Sequence, residues 1–170
     1  NTTYYWRIDQ VNAAGTTTGT VWSFTTAQTI KINFQPSASS VPSGYEVDSG
    51  ATYASRGNGL SYGWDTASTQ TRDRGVDSDQ RYDTLNHFYT NTWEIGLDSG
   101  TYNVWVVFGD PEYDDMTNTM DIEGTTCTDP DGEDYFDEYN IQVSVTDGRL
   151  TIEPATGADN PKICFIEITP

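Results

Sequence analysis

The chain has 170 residues, a length that suits one domain with a short additional segment, or two small units. It carries 26 acidic against 8 basic residues and a net charge of −18, yet its 13% aromatic content indicates a folded protein rather than a disordered acidic tail. A field of this sign repels phosphate backbones and anionic lipids, so we expect neither nucleic acid nor a membrane surface as a partner.

Export signals, membrane segments and cysteines say little about where the protein works. We find no apolar run near 18 residues and no charged segment followed by an apolar one at the beginning, which predicts a soluble chain whose export signal lies elsewhere. Cys127 and Cys164 allow one disulfide in an extracellular protein, or two separate buried thiols. The scarcity of lysine beside abundant aspartate favours a secreted protein.

The first predicted strands are residues 4–11 and 21–25. They overlap the sequences TYYWRID (residues 3–9) and GTVWSFTT (residues 19–26). These sequences resemble the last two strands of a fibronectin type III domain. We therefore assign residues 1–28 to the C-terminal hairpin of such a spacer and residues 29–170 to a second domain. The alternative is that the hairpin belongs to the main domain, since its alternation fits either role.

The rest of the chain alternates apolar and polar residues with a period of two, which predicts strands. The predicted strands are residues 31–34, 93–97, 102–108, 120–123, 139–146, 150–153 and 163–168. Turn sequences separate them, and no window shows an apolar stripe at helical spacing. The pattern predicts an all-β protein with two antiparallel sheets packed as a sandwich.

From residue 30 onward the chain resembles malectin and the malectin-like carbohydrate-binding modules. The resemblance depends on pieces in a fixed order: INF (32–34), LSYG (60–63, taken as a loop), WEI (93–95), GTYNV (100–104), VFGD (107–110) and DNPKIC (159–164). Together they span about 140 residues, and the last is the most specific. The resemblance implies an antiparallel jelly-roll β-sandwich of the galactose-binding-like type and a noncatalytic role in binding carbohydrate.

The resemblance also implies a binding site at one end of the sandwich. Tyr62 and Tyr113 match aromatic residues of the malectin site, and Asp159 matches its aspartate. Between the matched segments, Tyr89 is the expected third aromatic, with Phe88 as the alternative. We expect these side chains to converge, because a sugar ring stacks on a flat aromatic while a carboxylate accepts its hydroxyl hydrogens.

Four positions leave the prediction open. Glu112 replaces the second aromatic of a malectin pair, which puts identical sugar specificity in doubt. Trp64 is either a further stacking platform or a core anchor. Tyr62 and Tyr89 also fit the role of core aromatics with satisfied hydroxyl groups.

Arginine clusters in residues 71–83, although the chain as a whole is acidic. Arg72 and Arg74 are candidates to bind ring hydroxyls, a uronate or a sulfate through their guanidinium groups. The alternative is an internal network of Arg and Asp that holds a long loop, with Arg81 and Asp83 as members.

A dense group of carboxylates between residues 127 and 138 suggests a structural calcium site, since calcium prefers oxygen ligands. The candidate ligands are Asp129, Asp131 and Asp134. A second acidic group lies at a strand end, at Asp110, Asp114 and Asp115. The alternative is a solvated acidic loop.

Nothing in the sequence indicates catalysis. The single histidine, His87, has no nucleophile motif beside it, and we find no zinc spacing and no phosphate-binding loop. We therefore expect a noncatalytic module of a secreted polysaccharide-active protein, with an oligo- or polysaccharide and the other domains of that protein as partners. A structural or adhesive sandwich without glycan binding is the second interpretation, and a small jelly-roll glycoside hydrolase or lyase is the third.

Overall fold

The computed structural model describes residues 2–129 and 134–170. Strands dominate this part of the chain, together with one short helix, α1 (Gln80–Asp83). The first nine strands are β1 (Thr3–Trp6), β2 (Gln10–Asn12), β3 (Gly15–Thr17), β4 (Trp22–Thr25), β5 (Ile30–Phe34), β6 (Glu46–Asp48), β7 (Ala54–Ser55), β8 (Ser61–Trp64) and β9 (Thr71–Asp73). The others are β10 (Thr84–His87), β11 (Trp93–Gly96), β12 (Gly100–Gly109), β13 (Met120–Ile122), β14 (Thr125–Cys127), β15 (Phe136–Val145), β16 (Arg149–Pro154) and β17 (Lys162–Thr169).

Two sheets form the sandwich. The first has seven strands, with β15, β12, β17, β10 and β9 in that order and with β5 joining β17 to β6. The second has six strands in the order β14, β13, β16, β11, β8 and β7. All neighbouring strands are antiparallel except β5 and β6, which run parallel. The prediction of an all-β antiparallel sandwich is therefore confirmed.

Alternation along the strands explains why the two sheets pack together. In β12, the residues at every second position, Tyr102, Val104, Val106 and Phe108, are buried between the sheets. Residues between them face outward, and only a period of two places one set of side chains consistently on the core face. The core therefore follows directly from the alternation seen in the sequence.

The N-terminal strands lie outside this sandwich. β1 pairs with β4 and β2 with β3, and within the described residues neither pair joins a strand of the two large sheets. Every residue of these four strands is exposed. The predicted strand at residues 4–11 is interrupted, since β1 ends at Trp6 and β2 begins at Gln10.

The segment at residues 60–63 was expected to be a loop, and that expectation is wrong. Ser61–Trp64 form strand β8, which pairs with β11 so that Tyr62 lies opposite Ile95 and Trp64 opposite Trp93. The short strand was hidden by Gly63, which has a φ of 137° and room for no side chain: an added Cβ would lie 2.5 Å from the carbonyl oxygen of Ala51.

Asp48 connects the two sheets through the core. Its side chain is 1% exposed and accepts hydrogen bonds from the indole N–H groups of Trp64 (2.9 Å) and Trp93 (2.8 Å) and from the backbone N–H of Gly50 (2.7 Å). Asp48 ends β6 in the seven-stranded sheet, whereas both tryptophans belong to the six-stranded sheet. Burial raises the pKa of Asp48, and the three donors oppose that effect.

The two cysteines are separate thiols, and both are buried. The Cys164 thiol donates a hydrogen bond to the carbonyl oxygen of Gly109 at 3.3 Å. Burial raises the pKa of Cys127 to about 11. Of the two alternatives left open by the sequence, the structure therefore has the pair of buried thiols.

The described residues include no helix that is long and apolar enough to cross a membrane.

The substitution Asp48→Asn should destabilise the protein by about 1–3 kcal/mol, because the amide N–H₂ would face one indole N–H and leave that donor buried without an acceptor. The free energy of unfolding measured in urea tests this expectation. Asp98→Asn is the control, since Asp98 is exposed between β11 and β12. Equal stability of the two variants would contradict the role assigned to Asp48.

Candidate functional site

A shallow open pocket of about 260 Å³ lies at one end of the seven-stranded sheet. Its lining residues are Arg72, Arg74, His87, Tyr113, Asp115, Asn160 and Lys162. They come from three parts of the chain: β9 to β10, the loop after β12, and the start of β17 with the residues before it. The pocket is therefore a product of the sheet pairing.

Strand register explains why three of these side chains share one face. His87 lies directly opposite Lys162 in the β10–β17 pair, and Arg72 lies opposite Leu85 in the β9–β10 pair. Leu85 is two residues before His87, so all of these side chains project from the same face. Leu85 packs in a cluster with Cys164, separate from the core between the sheets. The pocket thus opens on the outer face of the seven-stranded sheet.

Backbone hydrogen bonds hold the loops around the pocket together. Thr117 and Asp159 exchange two of them, with N–O distances of 2.8 and 3.0 Å. The N–H of Phe88 donates to the carbonyl oxygen of Pro161 at 2.9 Å. These bonds hold two parts of the chain against the segment that leads into β17. One is the loop that carries Tyr113, and the other is Phe88, the residue before Tyr89.

Charges around the pocket are arranged as linked ion pairs. Asp110 is fully buried and accepts two hydrogen bonds from Arg74, at 2.9 and 2.5 Å. The ammonium of Lys162, with a side chain only 2% exposed, lies 2.5 Å from an oxygen of Asp115 and 3.6 Å from an oxygen of Asp110. A buried carboxylate requires such partners, since an unpaired one would be very costly.

The ion pairs shift the pKa values of their members. Burial acts to lower the pKa of Arg74, but the hydrogen bond and the charge of Asp110 outweigh it and the net shift is upward. The hydrogen bond from Lys162 lowers the pKa of Asp115. Arg74 and Asp115 are therefore charged throughout the physiological range.

Asp83 holds the turn that follows Arg74. Its buried carboxylate accepts hydrogen bonds from the backbone N–H groups of Gly75 (2.8 Å), Val76 (2.8 Å) and Asp77 (2.7 Å). In addition, the N–H of Arg74 donates to the carbonyl oxygen of Asp83 at 3.0 Å. Burial acts to raise the pKa of Asp83, and the three backbone donors outweigh it, so the net shift is downward.

His87, Tyr89 and Asn160 form the other side of the pocket. The ring of Tyr89 stacks on that of His87, with centroids 5.4 Å apart and planes inclined by 15°. The Nδ1 atom of His87 lies 3.3 Å from the Oδ1 atom of Asn160. Burial, followed by the charge of Lys162, lowers the pKa of His87, so the imidazole is neutral near pH 7.

Backbone strain also concentrates here. Tyr89 and Asn160 have φ angles of 52° and 48°, in the left-handed region that residues other than glycine rarely adopt. Such conformations cost free energy and often occur at functional sites. Tyr89, with a side chain that would otherwise favour extended backbone, is 52% exposed at the rim.

The structure brings together several of the side chains predicted from the sequence. Arg72, Arg74 and Tyr113 line the pocket, and Tyr89 adjoins it through His87. Asp159 lies at the rim through its backbone, whereas its neighbour Asn160 contributes the side chain that lines the pocket.

Tyr62 and Trp64 are placed elsewhere. They are 3% and 0% exposed and belong to the core cluster between the sheets. The Tyr62 hydroxyl donates to the carbonyl oxygen of Val47 at 2.9 Å, and burial raises its pKa to about 12. Since neither ring offers a surface to a ligand, the expectation that these two residues bind sugar is corrected: they anchor the core.

Four of the lining residues were not among the predicted sugar-binding residues: His87, Asp115, Asn160 and Lys162. Asp115 was considered only as a calcium ligand. Asn160 and Lys162 lie within the DNPKIC segment, directly after Asp159, and that proximity was the available signal. His87 was interpreted as a structural or surface histidine. Its place beside Lys162 depends on the β10–β17 pairing, which a single sequence does not reveal.

Within residues 2–129 and 134–170, no group of three or more His, Cys, Asp or Glu side chains is placed to hold a metal ion. Of the candidate calcium ligands, Asp131 lies outside the described residues. Asp129 is buried and accepts a hydrogen bond from the backbone N–H of Asn118 at 3.0 Å, while Asp134 is partly buried. At the strand end, Asp110 and Asp115 are engaged with Arg74 and Lys162 as described above.

The sequence matches no protein-family model and no curated protein. The fold, however, is similar to that of solved structures. Protein YXIM of Bacillus subtilis superposes with a TM-score of 0.60 and 22% identity, covering 84% of this chain and 40% of that chain. The plant receptor-like kinase FER gives a TM-score of 0.58 and 16% identity, covering 84% and 42%.

The β-glucuronidase of Bacteroides uniformis gives a TM-score of 0.54 and 11% identity, and covers 99% of this chain but 22% of that one. The chain therefore spans less than half the length of each of these proteins. At such identities the likeness shows the fold alone. It agrees with the all-β sandwich expected from the sequence.

Loss of the Asp83 carboxylate should weaken the turn that follows Arg74. We expect Asp83→Asn to lower the free energy of unfolding by about 1–3 kcal/mol at pH 7, because an amide oxygen replaces a charged acceptor of three N–H groups. The contribution of Asp83 is fully present above the unfolded pKa of about 3.9 and is lost as the pH falls through the lower folded pKa. Denaturant unfolding at pH 7 and pH 3 measures both effects.

The difference in the free energy of unfolding between the wild type and Asp83→Asn should therefore be smaller at pH 3 than at pH 7. Asp98→Asn serves again as the matched control, with no gap expected at either pH. A gap of the same size at both pH values would show that the carboxylate charge of Asp83 contributes nothing.

Proposed function

We propose that residues 29–170 form a noncatalytic carbohydrate-binding module of a secreted polysaccharide-active protein, and that the pocket on the outer face of the seven-stranded sheet is its glycan site. The observation that carries the proposal is that two exposed aromatic rings, Tyr89 and Tyr113, border a single open pocket rich in hydrogen-bonding groups. Tyr89 is 52% and Tyr113 is 47% exposed. The likeness in fold to larger proteins, of which this chain matches a part, supports a role as a module.

The chemistry of the pocket suits a sugar. A pyranose has an apolar C–H face, which an aromatic ring can contact, and a rim of hydroxyl groups, which need donors and acceptors. Arg72 and Asn160 supply donors, and Asp115 and the Asn160 carbonyl supply acceptors. The guanidinium of Arg74 lies 4.7 Å from the centre of the Tyr113 ring and holds that ring at the rim.

The same contacts favour binding over catalysis. Hydrolysis of a glycosidic bond generally requires two carboxyl groups on either side of it. Among the lining residues, Asp115 is the carboxylate, and its pairing with Lys162 keeps it ionised. Asp110, behind the pocket, is fully buried and held by Arg74. These features support a module that leaves the chemistry to another domain.

The N-terminal hairpin supports a place within a larger protein. Tyr4 stacks on Phe24 and Trp6 on Trp22, with ring centroids 5.3 and 6.2 Å apart, and each of these four residues is about half exposed. Two strands cannot bury such a face by themselves. We propose that the remaining strands of a fibronectin type III-like spacer cover it.

Replacing Tyr113 or Tyr89 with alanine should weaken glycan binding by about 1 kcal/mol or more, because each substitution removes a stacking ring. A glycan array identifies a ligand, and calorimetric titration of that ligand measures the loss. Tyr5→Ala is the matched control, since Tyr5 is 72% exposed on the hairpin. Unchanged affinity in both pocket variants, with the same array ligand, would refute this site.

Calcium remains a separate proposal. Carboxylates crowded between residues 127 and 138 repel one another, and a divalent ion bound by Asp129, Asp131 and Asp134 would relieve that repulsion. Binding to the folded state alone raises stability by mass action, so the melting temperature should rise with calcium and fall with chelator at fixed ionic strength. Identical melting curves under both conditions would remove calcium from this account.

A further inference from the structure

Positive charge is concentrated at the pocket in a chain that has little of it. Three of the eight Lys and Arg residues, Arg72, Arg74 and Lys162, line this single pocket, although the net charge is −18. The lining residues include one carboxylate, Asp115. A neutral sugar needs no such excess of cations, so their gathering requires its own explanation.

Arg74 and Lys162 are partly committed to internal partners. Arg74 gives its two strongest hydrogen bonds to Asp110, and its remaining terminal nitrogen lies 3.4 Å from an oxygen of Glu112. Lys162 gives one hydrogen bond to Asp115. The contacts with Asp110 and Glu112 balance the charge of Arg74. Lys162 keeps further N–H donors for a ligand, because only one is used by Asp115.

Arg72 differs from both. Its guanidinium donates to the carbonyl oxygen of Thr71 at 2.9 Å and to the side-chain oxygen of Gln70 at 3.0 Å, which uses two of its five N–H groups. It forms no ion pair with any carboxylate in the described part of the chain. The pocket therefore contains a guanidinium whose charge is not balanced locally and which retains N–H groups for a ligand.

The pair formed by Lys162 and Asp115 shows where a second oxygen anion fits. The side chain of Lys162 is 2% exposed, and its ammonium lies 2.5 Å from an oxygen of Asp115 and 3.6 Å from an oxygen of Asp110, whereas the side chain of Asp115 is 58% exposed. An ion pair with such an exposed partner is weak and exchangeable. A ligand carboxylate that displaces Asp115 can therefore reach the same ammonium.

We propose that this pocket, as the site of the proposed glycan binding, selects sugars that carry a carboxylate, that is, uronic acid residues. Arg72 binds the carboxylate through its planar fork, Lys162 is the second cation, and Tyr113 and Tyr89 contact the sugar ring. A guanidinium binds the two oxygens of a carboxylate through two parallel hydrogen bonds.

The test compares ligands that differ only in charge. Short oligosaccharides of galacturonic, glucuronic and mannuronic acid are titrated beside their carboxyl-reduced neutral counterparts and beside a sulfated neutral oligosaccharide of the same length. At least one uronate should bind ten or more times as tightly as its reduced form, and its affinity should fall as salt is raised. A sulfated ligand that binds as tightly as the best uronate would overturn the assignment to carboxylates.

Arg72→Gln should weaken uronate binding at least tenfold, and Arg72→Lys should weaken it by a smaller factor because the charge remains without the fork. Arg149→Gln is the matched control, since Arg149 is an exposed arginine paired with Glu94 on the six-stranded sheet. Melting temperatures confirm that each variant is folded. Full affinity in Arg72→Gln would overturn the proposal.

A second variant tests Lys162 without altering a cation. Asp115→Asn removes the carboxylate that competes for the ammonium, so uronate should bind more tightly while a neutral sugar gains nothing. Unchanged or weaker uronate binding would overturn the role of Lys162. If neutral and acidic sugars bind equally, the glycan site stands and the uronate inference fails; if no sugar binds, both fail.

Discussion

The buried carboxylate of Asp48 is the contact on which the sandwich depends. It ends a strand of the seven-stranded sheet and accepts the indole N–H groups of two tryptophans, Trp64 and Trp93, from the six-stranded sheet. Apolar packing between sheets has little directional preference, whereas a carboxylate with two fixed donors fixes how the sheets face each other. Satisfied in this way, a costly buried charge gives the core a single arrangement.

Burial and strand pairing explain which parts of the fold could be predicted from the sequence. Long alternating strands such as β12 were visible, because every second side chain enters the core and the period appears directly in the residues. Strand β8 was not, because Gly63 and its flanking aromatics resemble a loop when their partners are unknown. Tyr62 was consequently assigned to a ligand and Trp64 was left open between a ligand and the core. Pairing with β11 places both inside, where Trp64 donates to Asp48 and Tyr62 to the carbonyl oxygen of Val47.

For the site, the sequence indicated residue types better than positions. Arg72, Arg74 and Tyr113 were predicted because arginine is scarce here and because a family resemblance placed an aromatic after β12. His87 and Lys162 lie 75 positions apart along the chain, and only the register of β10 against β17 makes them neighbours. Such long-range pairing is set by the whole sheet, so local patterns contain no trace of it.

Charge distribution joins the fold to the proposed function. Besides the three cations of the pocket, Lys31 and Arg81 lie on the same outer face of the seven-stranded sheet, where they pair with Glu167 and Asp79. Five of the eight basic side chains thus occupy one face of a protein whose net charge is −18. Among these five, Arg72 is the one without an ion pair in the described part of the chain, so a polyanion would be repelled least there. An acidic glycan would therefore reach the module in one orientation, with its chain directed away from the acidic surface. In that arrangement the acidity of the protein would contribute to selectivity, because it would disfavour binding of the glycan elsewhere on the surface.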